Sequence, residues 1–451
     1  DPLDSRCNNA LGLLLLRSGQ FSQAEPYFRR AVESLTRRNP NPYDGEPFYN
    51  LGLALLMQGN YVDAYNAFYK AAWSAAWQDS AYFELACLDC CNGDWERALT
   101  HIEHALTRNT RHHRARHARI VILQLLGREQ DARIEITHSL ILDRFNFGTL
   151  YELERLDGDS GYADALRANP KGTANIMLET ALDYAHLGLF IEAATLLAEP
   201  DRPDHIDSLL HYMRGWCLFQ DGDPAAADAA FAQASALSPD YCFPNQIECV
   251  PALQLAMQRD PTDARAPYYL GNFWYAHRQY QDAITCWEHS RRLDEEFPTV
   301  HRNLGVAYMN KRHDAAKAQI AYERAFALNN EDARVFFELD QLYKMNNEPP
   351  AARLARLEQH RPLVDQRDDL TLERIALLNL TGHYNEALAI LTTRNFHPWE
   401  GGEGKTAAQY VFSLVELAKW AIDDGAYAEA ITLLERARIY PPNLGEGKLS
   451  G

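Results

Sequence analysis

The chain has 451 residues, 47% hydrophobic and 24% charged, enough for several compact domains or for one long array whose segments pack only on their neighbours. Its 62 acidic against 44 basic side chains give a net charge of -18, which argues against non-specific nucleic-acid binding and leaves room for a cationic partner. No run of eighteen apolar residues occurs, so no membrane span is expected, and eight irregularly spaced cysteines point to a reducing, cytoplasmic setting rather than a disulfide scaffold.

In chain order, Ser5 to Arg38 sets a pattern with Leu11, Gly12, Leu15, Gly19, Ala24, Phe28 and Ala31. The chain starts at Asp1 and enters this pattern at once, as a piece of a longer polypeptide would. Asn39-Pro40-Asn41-Pro42-Tyr43-Asp44 follows, a stiff insertion because each proline biases its predecessor away from helix. Two 34-residue units then run from Gly45 to His112. Phe48, Leu51, Gly52, Leu55, Ala64, Phe68 and Ala71 stand at positions 4, 7, 8, 11, 20, 24 and 27 of the first. Tyr82, Leu85, Ala86, Ala98, Ile102 and Ala105 repeat positions 4, 7, 8, 20, 24 and 27 in the second, and Gly59 and Gly93 share position 15. Small residues at 8 and 20 let two helices approach closely, large ones fill the space between units, and the glycine turns the chain without a Cβ penalty.

A fourth unit, His113 to Asn146, keeps Leu123, Gly127, Ala132 and Ile136, while Arg119 and Ile120 weaken positions 7 and 8. From Phe147 the pattern degenerates, with breaks at Asp157-Gly158-Asp159 and Asn169-Pro170-Lys171-Gly172. It returns weakly through Gly188, Ala193 and Leu197, then clearly from Ser208 with Gly215, Gly222, Ala227 and Phe231. Cys242 to Asp263 interrupts the count, and Ile247 to Met257 predicts one inserted helix. Leu270, Gly271, Ala283 and Trp287 restore the register, and in the next unit Ala318, Tyr322 and Ala325 sit one residue late. Weak and regular units alternate to the end, and two loops, 397–405 and 440–448, both close on Gly-Glu-Gly-Lys. The chain thus divides into regular repeats at 1–146, degenerate repeats at 147–207, middle repeats at 208–366 and C-terminal repeats at 367–451. No convincing period-two alternation occurs, so no sheet is expected.

Unit length and pattern resemble the tetratricopeptide repeat, a helix-turn-helix unit that must stack to bury its apolar face. The resemblance implies an all-α, right-handed superhelix, an α-solenoid of about eleven helix pairs. The 39–52 segment, the Ala71 to Gln78 stretch and the two Gly-Glu-Gly-Lys loops are similar to large bacterial proteins carrying the domain of unknown function 5107. In those proteins helical repeats follow a β-rich region. That likeness transfers no catalytic residue.

Candidate sites are weighed against plainer readings. Gly401 to Thr406 lacks the first glycine of a phosphate loop, because Trp399 stands there, and its helical setting is wrong. Cys87, Cys90 and Cys91 have no second cysteine pair nearby, and the histidines at 101, 104, 112, 113 and 117 read as surface rather than metal ligands. The acid pairs Glu400/Glu403 and Asp44/Glu46 are not placed across a cleft by anything in the sequence. No catalytic residue, metal or cofactor is therefore assigned. First helices line the concave face in this repeat class, which places Tyr49, Phe83, Arg114 and His117 in one groove and Tyr268, Asn272, Tyr275, Arg302, Asn303 and Arg334 further along. Asn272, Asn303 and Arg334 match part of a carboxylate clamp, but Tyr268 and Glu338 stand where cations belong. The expected role is a non-catalytic scaffold for another protein or for a β-rich domain of the same polypeptide. The alternative is the helical part of a carbohydrate-active or carbohydrate-binding protein whose chemistry lies in that domain. Neither nucleic acid nor membrane is an expected partner.

Overall fold

The repeat register is written in the backbone of the computed structural model, which describes residues 3–158, 161–168, 173–198, 207–397, 402 and 404–445. Gly19, Gly59, Gly93, Gly127, Gly188, Gly222, Gly382 and Gly425 each turn one helix into the next with φ between 70° and 93°. Arg278, His313 and Asn347 occupy the same turn at 62°, 54° and 58°. These eleven turns mark eleven helix pairs, and every regular element among the described residues is helical.

Two compact bodies result, Asp1–Leu293 and Asp294–Gly451. The first begins with four regular pairs: α1 (Ser5–Arg17) with α2 (Phe21–Thr36), α3 (Glu46–Leu56) with α4 (Tyr61–Ala71), α5 (Gln78–Cys91) with α6 (Trp95–Arg108), and α7 (His113–Leu125) with α8 (Glu129–Leu142). An irregular pair, α9 (Phe147–Asp157) and α10 (Tyr162–Ala168), precedes α11 (Thr173–His186) with α12 (Phe190–Leu197) and α13 (Ser208–Gln220) with α14 (Pro224–Ala236). A single helix α15 (Cys249–Arg259) then precedes α16 (Arg265–Ala276) and α17 (Tyr280–Leu293). The second body holds α18 (Pro298–Ala307), α19 (Ala315–Leu328), α20 (Ala333–Met345), α21 (Pro350–Gln359), the short α22 (Arg361–Val364), α23 (Asp368–Leu380), α24 (Tyr384–Thr393), α25 (Lys405–Asp423) and α26 (Tyr427–Ala437).

One contact recurs inside the pairs. A Cβ on Gly52 would stand 2.5 Å from the Phe68 ring, and one on Gly12, Gly215 or Gly271 would strike Phe28, Phe231 or Trp287 at 2.4–2.6 Å. The ring is therefore laid flat on bare backbone, and that close approach is what position 8 supplies. Four second helices start on side-chain caps, with Asn60, Asp94, Asp223 and Asp314 accepting from the amides of Asp63, Arg97, Ala226 and Lys317.

The late register at Ala318 has a local cause. Residues Tyr308–Arg312 form a π-helical turn ending on left-handed His313, and this wider turn absorbs one extra residue. The inserted helix is α15, two residues later than its apolar run suggested; α22 had no clear sequence signal. Ile120, expected to weaken its unit, is fully buried, and Arg119 instead reaches Glu135 at 2.8 Å. Of the two Gly-Glu-Gly-Lys loops, 397–405 and 440–448, the structure describes 397, 402, 404–405 and 440–445. Within the second, Asn443 donates its side-chain amide to the carbonyls of Leu391 and Arg394 at 2.8 and 2.7 Å, tying this loop to the end of α24.

Within the first body the chain returns to its own start. Gln20, beside the α1–α2 turn, donates to Gln279 at 2.9 Å, and Gln279 donates to Ser18 at 3.3 Å. Gly19 packs so closely that a Cβ there would lie 3.2 Å from both Val250 and Trp274. Of the N-terminal first helices, α5 and α7 consequently face a later helix of the same body, since α11 packs on both.

Candidate functional site

One buried polar network in the first body links α7 to α11 and centres on Arg114. The Arg114 guanidinium donates through Nε to Asp183 at 2.7 Å and lies 4.9 Å above the Phe83 ring centre. Its Nη2 reaches His186 Nδ1 at 2.5 Å. With Nδ1 accepting, the His186 proton sits on Nε2, which points to Glu248 at 3.2 Å. Charges from α7, α11 and the residue preceding α15 are thereby linked in one chain.

His117 lies one turn along α7 and is 1% exposed. Its Nδ1 faces Asp183 at 3.2 Å and its Nε2 faces Glu152 at 3.6 Å, too long for a hydrogen bond. Burial opposes its protonation, but the two carboxylates outweigh it and raise the imidazole to about 9. Burial likewise works against the charged forms of Asp183 and Glu152, yet His117 and the neighbouring arginines hold both carboxyls below their ordinary range. Glu152 also accepts from the Tyr184 hydroxyl. Gly148 allows this packing, since a Cβ there would stand 2.6 Å from His117 Nδ1. Glu84 contrasts with them: burial dominates and pushes its carboxyl up, although the Tyr49 hydroxyl donates to it at 3.3 Å.

A cleft of about 380 Å³ opens over this network. Its walls come from the start of α7, the 143–148 segment and one face of α11, including His113, Asp143, Phe145, Phe147, Glu179 and His186. Phe145 is 57% exposed there.

The residues assigned to the N-terminal groove therefore divide. Phe83 and His117 are buried inside the body. Tyr49 is held between Trp77 and Phe68 at ring distances of 5.0 and 5.5 Å. Arg114 lines the cleft. The open groove expected along these first helices is covered, because α11 supplies the acids that its cations need.

The second group is also engaged internally. In the first body Tyr268 is buried, Asn272 accepts from the Trp287 indole N–H at 3.1 Å, and Tyr275 packs on Trp287 at 5.3 Å. In the second body Arg302 makes two bonds to Glu338, at 2.8 and 2.5 Å, and Arg334 adds a third at 3.2 Å. Asn303 is half-buried on the same helix as Arg302. The acid at 338, which stands where a clamp would carry a cation, thus neutralises the arginines that a peptide carboxylate would need.

Sequence reasoning missed Asp183, His186, Glu248 and Glu152. All four lie in the degenerate stretch or beside the inserted helix, where no register assigns a face; the three-residue spacing of Asp183 and His186 on one helix was the available hint. Of the three clustered cysteines, Cys87 and Cys90 are buried in packing, where burial raises their thiols, while Cys91 is exposed. His101 binds the buried Asp89 at 2.7 Å, an acid partner the sequence had not suggested. Among the described residues no three metal-ligating side chains converge, and no helix is long and apolar enough to cross a membrane.

The tetratricopeptide repeat family matches residues 9–80 and again 209–241. Similar solved structures include a tetratricopeptide repeat protein from Parabacteroides merdae, at 18% identity over 56% of this chain and 98% of that one, with a TM-score of 0.35. Yeast Tom70 is 14% identical over 89% of this chain and 93% of its own, with a TM-score of 0.25. YrrB, a tetratricopeptide repeat protein with an unusual peptide-binding site, is 15% identical over 52% of this chain and 95% of its own, with a TM-score of 0.21.

Proposed function

We propose that this tetratricopeptide-repeat protein is a non-catalytic scaffold, and that a partner polypeptide docks in the cleft beside Arg114. The observation that carries the reading is the cleft itself. Three separate segments bring charged and aromatic side chains to one opening, with Phe145 exposed at its wall. Exposed aromatics beside a held guanidinium are side chains on which binding energy concentrates. Glu179 and Asp143 leave the rim acidic, which suits basic side chains on the partner.

The finer identity follows the sequence likeness. The chain is read as the helical part of a bacterial protein of the 5107 type, working in the cytoplasm. Its partner is another protein or the β-rich domain of its own polypeptide, and a carbohydrate ligand would be reached only through that domain. Of the two original groups, Arg114 remains the proposed contact. Tyr49, Phe83 and His117 support it from behind, and the Arg302/Arg334 pair is a secondary surface.

The test compares affinity capture on wild type with capture on a Phe145→Ala/Glu179→Ala chain. Proteins held by wild type and lost by the variant are purified and titrated directly. The reading requires at least a tenfold weaker titration for the variant at unchanged helicity. Equal binding by both chains, or turnover of an oligosaccharide panel by this chain alone, overturns it.

A further inference from the structure

The loops that join one N-terminal repeat to the next form one edge of the first body. Loop 37–45 follows α2, loop 72–77 follows α4 and loop 109–112 follows α6. They lie side by side. Lys70, in the last turn of α4, donates to Asn41 at 2.7 Å, and a Cβ on Gly45 would stand 2.6 Å from the Ser74 Cβ. Asn109 in turn donates to Asp79, in the first turn of α5, at 3.0 Å. On this edge Arg37, Arg38, Arg108 and Arg111 are exposed. Among the described residues no carboxylate bonds to any of these arginines or to Lys70. Asp44 and Asp79 accept instead from the Glu46 amide and from Asn109. These cations thus stand without acid partners on a chain whose net charge is -18.

The helix dipole does not account for them. A cation near a helix C-terminus is favourable. Yet α8, α14, α19 and α24 carry no basic residue in their last turn, and Arg38 and Arg111 lie beyond the helices they follow. Aromatic rings interleave with the charges. Lys70 Nζ sits 3.8 Å from the centre of the Trp73 ring, which is 57% exposed, and Tyr43 is 99% exposed. Asn41 and Trp73 together hold the Lys70 ammonium in place before anything binds, which lowers the cost of ordering it.

We infer that this edge binds an acidic segment of a partner polypeptide, one whose carboxylates alternate with apolar side chains. The carboxylates pair with the arginines and Lys70, and the apolar side chains rest on Trp73 and Tyr43. The cations are divided among three loops, with Asp44 and Asp79 standing between them. Those aspartates repel a continuous polyanion such as a nucleic-acid backbone, whereas neutral residues of a polypeptide can pass over them. The edge uses neither the cleft nor the ionic network around Arg114, and the inference stands or falls separately from partner docking there.

Fluorescence anisotropy on the 451-residue chain tests this with labelled probes. One is a short peptide of glutamates interrupted by phenylalanines, another the same peptide with glutamine for glutamate, and the last is oligothymidine. The glutamate peptide should bind saturably, more weakly as salt is raised, and at least about tenfold tighter than either other probe. Replacing Arg37, Arg38, Arg108 and Arg111 together by glutamine should weaken it at least about tenfold, and Trp73→Ala about fivefold. All these positions are exposed, so the variants should fold, which unchanged circular dichroism checks. Phe145→Ala/Glu179→Ala, which alters the cleft, should bind the peptide as wild type does. Absence of saturable binding overturns the inference. So does binding that the arginine substitutions leave unchanged or that the cleft variant loses. Tighter binding of the glutamine peptide overturns it as well, and tighter binding of oligothymidine overturns it in favour of nucleic acid.

Discussion

Arg114 and Asp183 lie 69 residues apart and meet at 2.7 Å, joining the regular repeats at the N-terminus to the degenerate stretch that follows them. Asp183 also binds His117, so one carboxylate holds two cations on α7. This shared acid explains why first-helix positions that look like an open groove face an occupied interior.

The His117 network gives a pH dependence with a defined sign. Its folded pKa of about 9 exceeds the ordinary histidine value of 6.5, so its contribution is fully present below 6.5 and is lost as pH rises through 9. Asp183 and Glu152 are depressed, and their contributions are lost instead as pH falls below the ordinary carboxylate range. His117→Gln should cost about 3 kcal/mol near pH 6.5, because it strips a cation from buried carboxylates. Urea midpoints taken near pH 6.5 and near pH 9.5 check this: wild type should weaken on alkalisation, and the variant should weaken less.

Gly52→Leu should destabilise by roughly 1–3 kcal/mol through overpacking, since even a Cβ meets the Phe68 ring at 2.5 Å. A denaturant midpoint that does not move would refute the ring-on-glycine account.

The turn positions predict opposite signs. Gly59 has φ of 76° with open space around it, so Gly59→Ala should cost about 1 kcal/mol through backbone strain alone. Arg278 bears that strain already at φ of 62°, and Arg278→Gly should be neutral or stabilise by up to about 1 kcal/mol. Thermal midpoints of the two variants, moving in opposite directions or with only the first moving, decide it.

In the second body Arg353 is 4% exposed and binds Asp340 at 3.0 and 2.5 Å and Glu373 at 3.0 Å. Arg353→Met alone should cost about 3–5 kcal/mol, because it leaves Asp340 buried without its cation. Adding Asp340→Leu should recover most of that loss, with Glu373 still held by Lys344 at 2.7 Å. Equal stability of the single and double variants would contradict this.

The fold was legible where one physical constraint recurs. Gly12, Gly52 and Gly215 betray helix pairs because a ring must lie on them, and the extra residue before Ala318 betrays the turn that stores it. The cleft was not legible. Its acids stand on α11 and before α15, where spacing no longer assigns a face, and their partners are fixed only when the first body folds back on its start. Phe83 illustrates the loss: its burial depends on His112, the last residue of its own unit, and on Arg114 in the next, at 4.9 Å each.

The docking claim is tested most directly by hydrogen exchange of the chain with and without its captured, purified partner. The account predicts slowed exchange at the start of α7, across 143–148 and along α11, with α26 unchanged. Protection confined to other helices, with those three segments exchanging at their free rates, would contradict it.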